Sequence, residues 1–238
     1  MRNTLVLPIG GSASRMRGVP KYLLPANTSS TLVETHIRAG LKAGYDQIII
    51  IIPKESEVLL RNILGENDKV FIALLPEKTK TMCETLLLGL SSSAWDDSDY
   101  FTVGLSDTIF VGEEMSVIYE KLLSAQSRLT LGLFKMRDEQ VEKLGQVVTD
   151  SFGGVIELAD KQPIRISSYA WGLAKFQSDY LKRINISHAH IGISFKQWLQ
   201  EGERIGTVTS NSSYYDCGTF SEYASYIRTL DTDFSSGV

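Results

Sequence analysis

The sequence predicts an α/β fold: a Rossmann-like, mostly parallel sheet flanked by helices, with a smaller β-rich lobe. Three observations carry this. Over the first 135 residues, short β-branched runs alternate with amphipathic stretches, which is the pattern of βαβ units. The run Gln47–Ile52 is apolar without alternation after its first residue, as a strand covered on both faces must be. After Lys135 the texture changes to short strands joined by glycine-rich and polar turns, more antiparallel in character.

Taken in order, Thr4–Ile9 reads as a buried first strand and Gly10–Ser14 as the loop that follows it. Thr31-Leu-Val-Glu34 is a capping box, in which a hydroxyl and a carboxylate satisfy each other's orphan amides. It opens a helix that Gly44 closes. Lys54–Leu64 reads as a helix ended by Gly65, and Val70–Leu75 as the third strand. Thr81–Leu90 is helical, because Met82, Leu86 and Leu90 share one face. Tyr100–Leu105 is a strand ending at Ser106-Asp107; Glu113–Ala125 is a helix with an acidic first turn, and Leu129–Phe134 a strand. Further strands are expected at Gln146–Thr149, Val155–Leu158, Ser168–Ala174 and Thr207–Ser210, with helices at Ser178–Ile184 and Ile193–Gln200. Thr219–Arg228 is the last helix, and Asp231–Val238 is expected to fray.

Composition removes whole classes of function. Of 238 residues, 24 are Lys or Arg and 28 Asp or Glu, a net charge of −4. That argues against a surface that neutralises DNA or RNA phosphates, while leaving room for a local pocket that binds a small anion. Cys83 and Cys217 are too few for a disulfide scaffold or a tetrahedral zinc site and read as reduced thiols. The most apolar run, Ile48–Ile52, is far short of the ~20 residues that span a bilayer. A cytoplasmic protein with no membrane segment and no nucleic-acid partner is expected.

Candidate chemistry sits in four places. Gly10-Gly11-Ser12-Ala13-Ser14-Arg15-Met16 follows the first strand. Small residues let the backbone approach a phosphate, with Arg15 adding a planar fork and Lys21 a compact charge. It is neither a Walker A loop nor the dinucleotide fingerprint, and a tight turn is the plain alternative. Asp107 ends a buried strand, where open α/β sheets bind ligands, and Asp216 stands just ahead of the last helix. Each alone is compatible with capping. Brought to one cleft opposite a cationic loop, the two are what Mg²⁺ bound to a nucleoside triphosphate requires. The fourth place is Asp160-Lys161-Gln162-Pro163, where a lysine able to hold a second phosphate competes with a solvated loop charge. Trp171 is a candidate pocket wall or core residue, and His36 reads as structural. His188-Ala189-His190 lacks partners at metal-ligand spacing and reads as a polar loop.

In sequence order these segments resemble the sugar-1-phosphate nucleotidylyltransferase family. The matching residues are the Gly10–Met16 loop, Pro20-Lys21-Tyr22-Leu23-Leu24-Pro25, Leu105-Ser106-Asp107-Thr108, Gly145 with Asp160-Lys161-Gln162-Pro163, and Tyr215-Asp216-Cys217-Gly218-Thr219. Ala13 replaces a loop glycine of the family pattern and Asp160 a glutamate. The resemblance implies a nucleotide-diphospho-sugar transferase-like fold, one nucleotidyltransferase domain over 1–238. Its nucleotide-binding part spans about 1–135, a substrate lobe about 136–210 and a closing helix about 219–230. It implies Arg15 and Lys21 as catalytic, with Gly10, Gly11, Ser12, Ala13, Ser14, Arg15, Thr81 and Ser106 on the nucleotide. Asp107 and Asp216 are implied on Mg²⁺, and Gly145, Asp160, Lys161 and Trp171 on the acceptor. The partners implied are UTP, CTP or dTTP and a sugar 1-phosphate, the product a nucleotide-sugar for polysaccharide biosynthesis, and a homo-oligomer is compatible. Three other readings remain open on the residues: a cytidylyltransferase acting on a non-sugar phosphomonoester such as phosphocholine, a metal-dependent glycosyltransferase, and a binding or regulatory module that keeps the fold without catalysis, to which Ala13 points.

Overall fold

Ile48 to Ile52 expose none of their side-chain surface, and the sheet around them explains why. The structure is a computed structural model that describes residues 1–11, 16–91, 95 and 97–235. Strand β2 (Gln47–Pro53) pairs in parallel with β1 (Asn3–Pro8) on one side and β3 (Val70–Leu75) on the other. β1 also pairs in parallel with β4 (Tyr100–Gly104). Successive strand residues point to opposite faces, so the run feeds two cores. Leu5, Leu7, Ile48, Ile50 and Ile52 pack with α1 (Leu32–Ala43) and α4 (Met115–Ser124) on one face. On the other, Val6, Ile49 and Ile51 pack with α3 (Met82–Gly89) and α5 (Ile191–Gln200). Burying each such aliphatic side chain contributes about 1.5–3 kcal/mol. α2 (Glu57–Leu64) connects β2 to β3.

Beyond β4 the sheet continues through β9 (Tyr169–Gln177), β6 (Leu129–Lys135), β10 (Gly206–Asp216) and β5 (Thr108–Val111). β9 lies antiparallel between β4 and β6, whereas β10 runs parallel to β6 and antiparallel to β5. β7 (Gly145–Thr149) and β8 (Val155–Asp160) form an antiparallel hairpin, joined to β9 at Gln146 and Ala170. The architecture is thus the expected α/β sheet flanked by helices, parallel over β3-β2-β1-β4 and mixed beyond. β9 and β10 are interior strands of the main sheet, and the β7–β8 hairpin projects from it. Among the described residues no helix is long and apolar enough to cross a membrane. Both cysteines are free thiols and buried.

Four local expectations need correction. Ser178–Arg183 is a 3-10 segment, not an α-helix. β5 is an additional strand: Thr108–Val111 are β-branched and aromatic, but the run is short and starts directly on the Leu105–Thr108 turn, and pairing with β10 makes it a strand of its own. β10 runs well past Ser210 through a serine-rich stretch of poor strand propensity, with a register shift between Ser210 and Ser213; its two partner strands override that propensity. The last helix, α6 (Phe220–Ser235), continues where fraying was expected. No Gly or Pro interrupts it, and Tyr223, Tyr226, Ile227 and Leu230 keep its apolar face on the core.

The capping box of α1 forms as read. Glu34 N–H donates to Thr31 Oγ1 at 3.4 Å, and Thr31 N–H donates to Glu34 Oε2 at 2.8 Å. Thr31→Ala is expected to cost about 1 kcal/mol, read as a lower urea midpoint at unchanged slope.

Candidate active site

The chain leaves β1 toward β2 and β3 on one side and later returns to β4 on the other. Open α/β sheets bind ligands at such a switch in strand order, outside the carboxyl ends of the strands. A cleft of about 320 Å³ opens there, lined by Gly10, Gly11, Lys21, Thr81, Ser106 and Asp107 among others. These residues come from the ends of β1 and β4, the turn at Lys21–Leu23 and the start of α3. At Gly10 a Cβ would collide with the hydroxyls of Thr79 and Thr85, and the Gly10 carbonyl accepts Thr79 N–H at 3.1 Å. Only glycine lets the loop lie this close to α3. Ser12, Ala13, Ser14 and Arg15, named above as nucleotide-binding residues, lie outside the described residues.

Pro20 sets up the 3-10 turn that carries Lys21 into the cleft. Its ammonium, 15% exposed, donates to Asp107 Oδ2 at 3.3 Å. Lys78, paired with Glu55 at 2.7 Å, and Lys80 also line the cleft. The family resemblance marks Thr79–Thr85 as the base-recognition segment, which includes Lys80, but nothing in the sequence singled out Lys78.

Asp107 and Asp216 are 109 positions apart in the chain, and strand pairing brings them together. Asp216 opposes Thr108 across β10 and β5, and Cys217 N–H donates to the Asp107 carbonyl at 2.8 Å. Burial, followed by the charges of Asp107, Asp216 and Glu222, pushes the Cys217 thiol far up, so it stays protonated and non-nucleophilic. Asp216 Oδ1 accepts Gly218 N–H at 2.9 Å. The approach to Asp216 is clamped from behind. The Tyr214 ring stacks on Phe134 at 3.9 Å, and its carbonyl accepts from Arg137 Nη1 at 2.9 Å and Gln140 Nε2 at 2.7 Å. Arg137 also pairs with buried Glu222 at 2.8 Å and lies 4.2 Å from the Tyr215 ring centre. Sequence reading missed this clamp. The Thr219-x-x-Glu222 spacing reads as a helix start, and the Thr219 hydroxyl does accept Glu222 N–H at 3.3 Å, but the carboxylate turns to Arg137.

Among the described residues no cluster of three or more His, Cys, Asp or Glu forms a metal set, so an ion here would rest on two carboxylates. His188 bonds Ser194 Oγ at 3.0 Å and His190 bonds Asp160.

A second cavity, about 210 Å³, lies between the β7–β8 hairpin and α5 and is lined by Gly145, Asp160, Trp171, Gly192, Ile193 and Lys196. Three of the four expected acceptor residues therefore meet. A Cβ at Gly145 would strike the Trp171 indole, which is why glycine stands there. Lys161 is exposed, with left-handed backbone (φ 47°), and does not line this cavity. Lys196 does line it, and nothing in the sequence marked it. The two cavities are linked by backbone: Met82 N–H, at the start of α3, donates to the Ala189 carbonyl at 3.0 Å.

Residues 5–130, a little over half of the chain, match the model of the MobA-like NTP transferase domain. The chain belongs to the MobA-like NTP transferase family. It is therefore a nucleotidyltransferase, and the matched span holds the first cleft but not Asp216 or the acceptor-side cavity. No curated protein matches the sequence. Solved structures resemble this NTP transferase over nearly its whole length. A UDP-glucose pyrophosphorylase complexed with UDP-glucose is 16% identical, covers 98% of this chain and 100% of its own, and has a TM-score of 0.77. A UTP-bound UGPase from Acinetobacter baumannii is 15% identical, with coverage of 97% and 93% and a TM-score of 0.74. A nucleoside-diphosphate-sugar pyrophosphorylase from Vibrio cholerae is 24% identical, with coverage of 94% and 99% and a TM-score of 0.71. At such identities the likeness is one of fold, that of the nucleotide-diphospho-sugar transferases.

Proposed function

We propose that this NTP transferase joins a nucleoside monophosphate, from UTP, CTP or dTTP, to a sugar 1-phosphate and forms a nucleotide-sugar. A phosphate oxygen of the acceptor attacks the α-phosphorus in line; the bond between the α-phosphorus and the α,β-bridging oxygen breaks, and pyrophosphate leaves. The observation that carries this is the meeting of Gly10, Gly11, Lys21, Ser106 and Asp107 in one cleft at the strand-order switch of an NTP transferase. The acceptor assignment is supported by a neighbour of the same fold that holds UDP-glucose, and the nucleotide by one that holds UTP.

Little covalent help is needed, so positioning and charge neutralisation carry the reaction. Arg15 and Lys21 grip the triphosphate, loop amides from Gly11 to Ser14 support the developing charge, and Thr81 and Ser106 bound the nucleotide. Gly145, Asp160 and Trp171 orient the acceptor, while Lys161, outside the cavity lining, contributes only its charge beside Asp160. The donor set fits Mg²⁺, which is usually held by one or two carboxylates with waters and substrate phosphates. Asp107 and Asp216 would hold it, and when bound it supplies charge neutralisation on the triphosphate.

The test is pyrophosphate release across the four NTPs and dTTP against sugar 1-phosphates, phosphocholine and other phosphomonoesters. Turnover confined to sugar 1-phosphates supports the reading. Turnover with phosphocholine alone, or nucleotide-sugar consumption without pyrophosphate chemistry, overturns it. Lys21→Ala is expected to lower kcat/KM for the nucleotide roughly 10- to 100-fold, as loss of a contact to a charged group does. Steady-state kinetics with the nucleotide varied checks it.

A further inference from the structure

The Asp160 carboxylate does not face the acceptor-side cavity unaided. His190, the residue that precedes α5, places Nε2 3.0 Å from Asp160 Oδ2. A carboxylate only accepts, so Nε2 carries a proton and donates it to Asp160. Nδ1 is buried and has no hydrogen-bond partner among the described residues, so the bond to Asp160 is the one that orients the ring. The ring lies 6.4 Å from the Trp171 ring, tilted by 37°, and a Cβ at Gly192 would come 3.0 Å from Nδ1. The backbone ahead of it is tied to the nucleotide side. Besides the Met82–Ala189 bond, the Thr81 hydroxyl donates to the Ile186 carbonyl at 3.2 Å. His190 is thus wedged against Trp171 and anchored through residues 186–189.

The titratable and charged groups facing Asp160 are His190, Lys161 beside it in the chain and Lys196 on α5. Burial pushes the Asp160 carboxyl up; the His190 hydrogen bond and the charges of these groups more than offset it and leave it below its ordinary value. A glutamate, which the family resemblance would place here, reaches one methylene farther. The shorter aspartate needs a donor behind it to aim.

We infer that His190 is a positioning residue of the acceptor site, holding the Asp160 carboxylate so that Oδ1 accepts a hydroxyl of a polyhydroxylated phosphomonoester beside Trp171. This rests on the acceptor reading given above. A quaternary ammonium suits the cavity poorly, because one indole is not an aromatic cage and two lysines flank the only carboxylate among its lining residues.

The test compares His190→Ala, His190→Asn and His190→Gln. Glutamine puts an N–H near the position of Nε2, whereas asparagine puts it near Nδ1 and leaves Asp160 without a donor. KM for whichever sugar 1-phosphate the wild type uses is expected to rise roughly 10-fold or more in the Ala and Asn variants. His190→Gln restores it to within about threefold, and KM for the nucleotide stays unchanged in all three. Equal KM increases in all three variants, or a parallel rise in nucleotide KM, overturns the inference, because a merely structural role moves both. The second readout needs no turnover: the Asp160 carboxyl carbon is titrated by NMR in each protein. Its midpoint is expected to rise in the Ala and Asn variants and to return toward wild type in His190→Gln. An unmoved midpoint in His190→Ala overturns the positioning role. If the wild type turns over no sugar 1-phosphate, the functional reading fails, and the titration alone decides the Asp160–His190 claim.

Discussion

Asp107→Asn is expected to lower kcat by about 10³-fold or more, since it removes charge stabilisation worth several kcal/mol at the triphosphate. Asparagine keeps the size and one acceptor oxygen but loses the charge that both Lys21 and an ion would meet. Asp107 is 29% exposed and its backbone pairing with Cys217 uses only the carbonyl, so the melting temperature should stay close to wild type. Asp216→Asn is expected to behave alike, and the double variant should be little worse than either, because groups acting as a unit are not additive. Pyrophosphate release at saturating nucleotide, read beside a thermal melt, measures this. Near-wild-type turnover in either single variant removes that aspartate from the reaction, and a collapsed melt assigns it to folding instead.

The second large effect is on stability. His36 lies on α1, fully buried, between the Tyr119 hydroxyl at 2.7 Å and the Thr108 carbonyl at 2.9 Å. A carbonyl only accepts, so Nε2 holds the proton and Nδ1 accepts from the tyrosine. Burial, only partly opposed by the Thr108 bond and the Asp107 charge, lowers its pKa from 6.5 to about 4. The folded protein therefore keeps His36 neutral where the unfolded chain already binds a proton. Above pH 6.5 both states are neutral and the group has no effect; as pH falls from 6.5 toward 4, stability is lost. The full loss is about 3 kcal/mol, at roughly 1.4 kcal/mol for each tenfold difference in proton affinity between the folded and unfolded chain. Urea melts of the wild type and His36→Gln at several pH values across this window separate it from carboxylate effects. The wild-type curve should be steeper by up to about one proton. Identical slopes would show that His36 titrates normally.

How much of this was legible depended on distance along the chain. The α1 capping box and the isoleucine strand each rest on side chains a few residues apart, and both formed as read. The β5 strand and the length of β10 did not: Thr108–Val111 favours a strand but is too short to stand out beside the Ser106-Asp107 turn, and the serine-rich run has poor propensity and extends against its partners. Lys175 is a sharper case. It lies buried within β9, where its ammonium donates to the Leu123 and Ala125 carbonyls at 2.9 and 3.0 Å and so caps the end of α4. No spacing in the sequence announces that. The same holds for Arg137, Gln140 and Glu222 behind Asp216, and for His190 behind Asp160.

The sequence by itself therefore determined the alternation of strands and helices, the α1 capping box, and the residue types able to hold a phosphate or an ion. These follow from steric and hydrogen-bond rules acting over one or two turns of chain. The tertiary structure alone decided which of them meet: Lys21 with Asp107, Asp107 with Asp216 across β5 and β10, and Asp160 with His190. Those meetings depend on strand order and register, which follow from how whole faces bury against one another, and a sum of that kind leaves no local mark on any one segment.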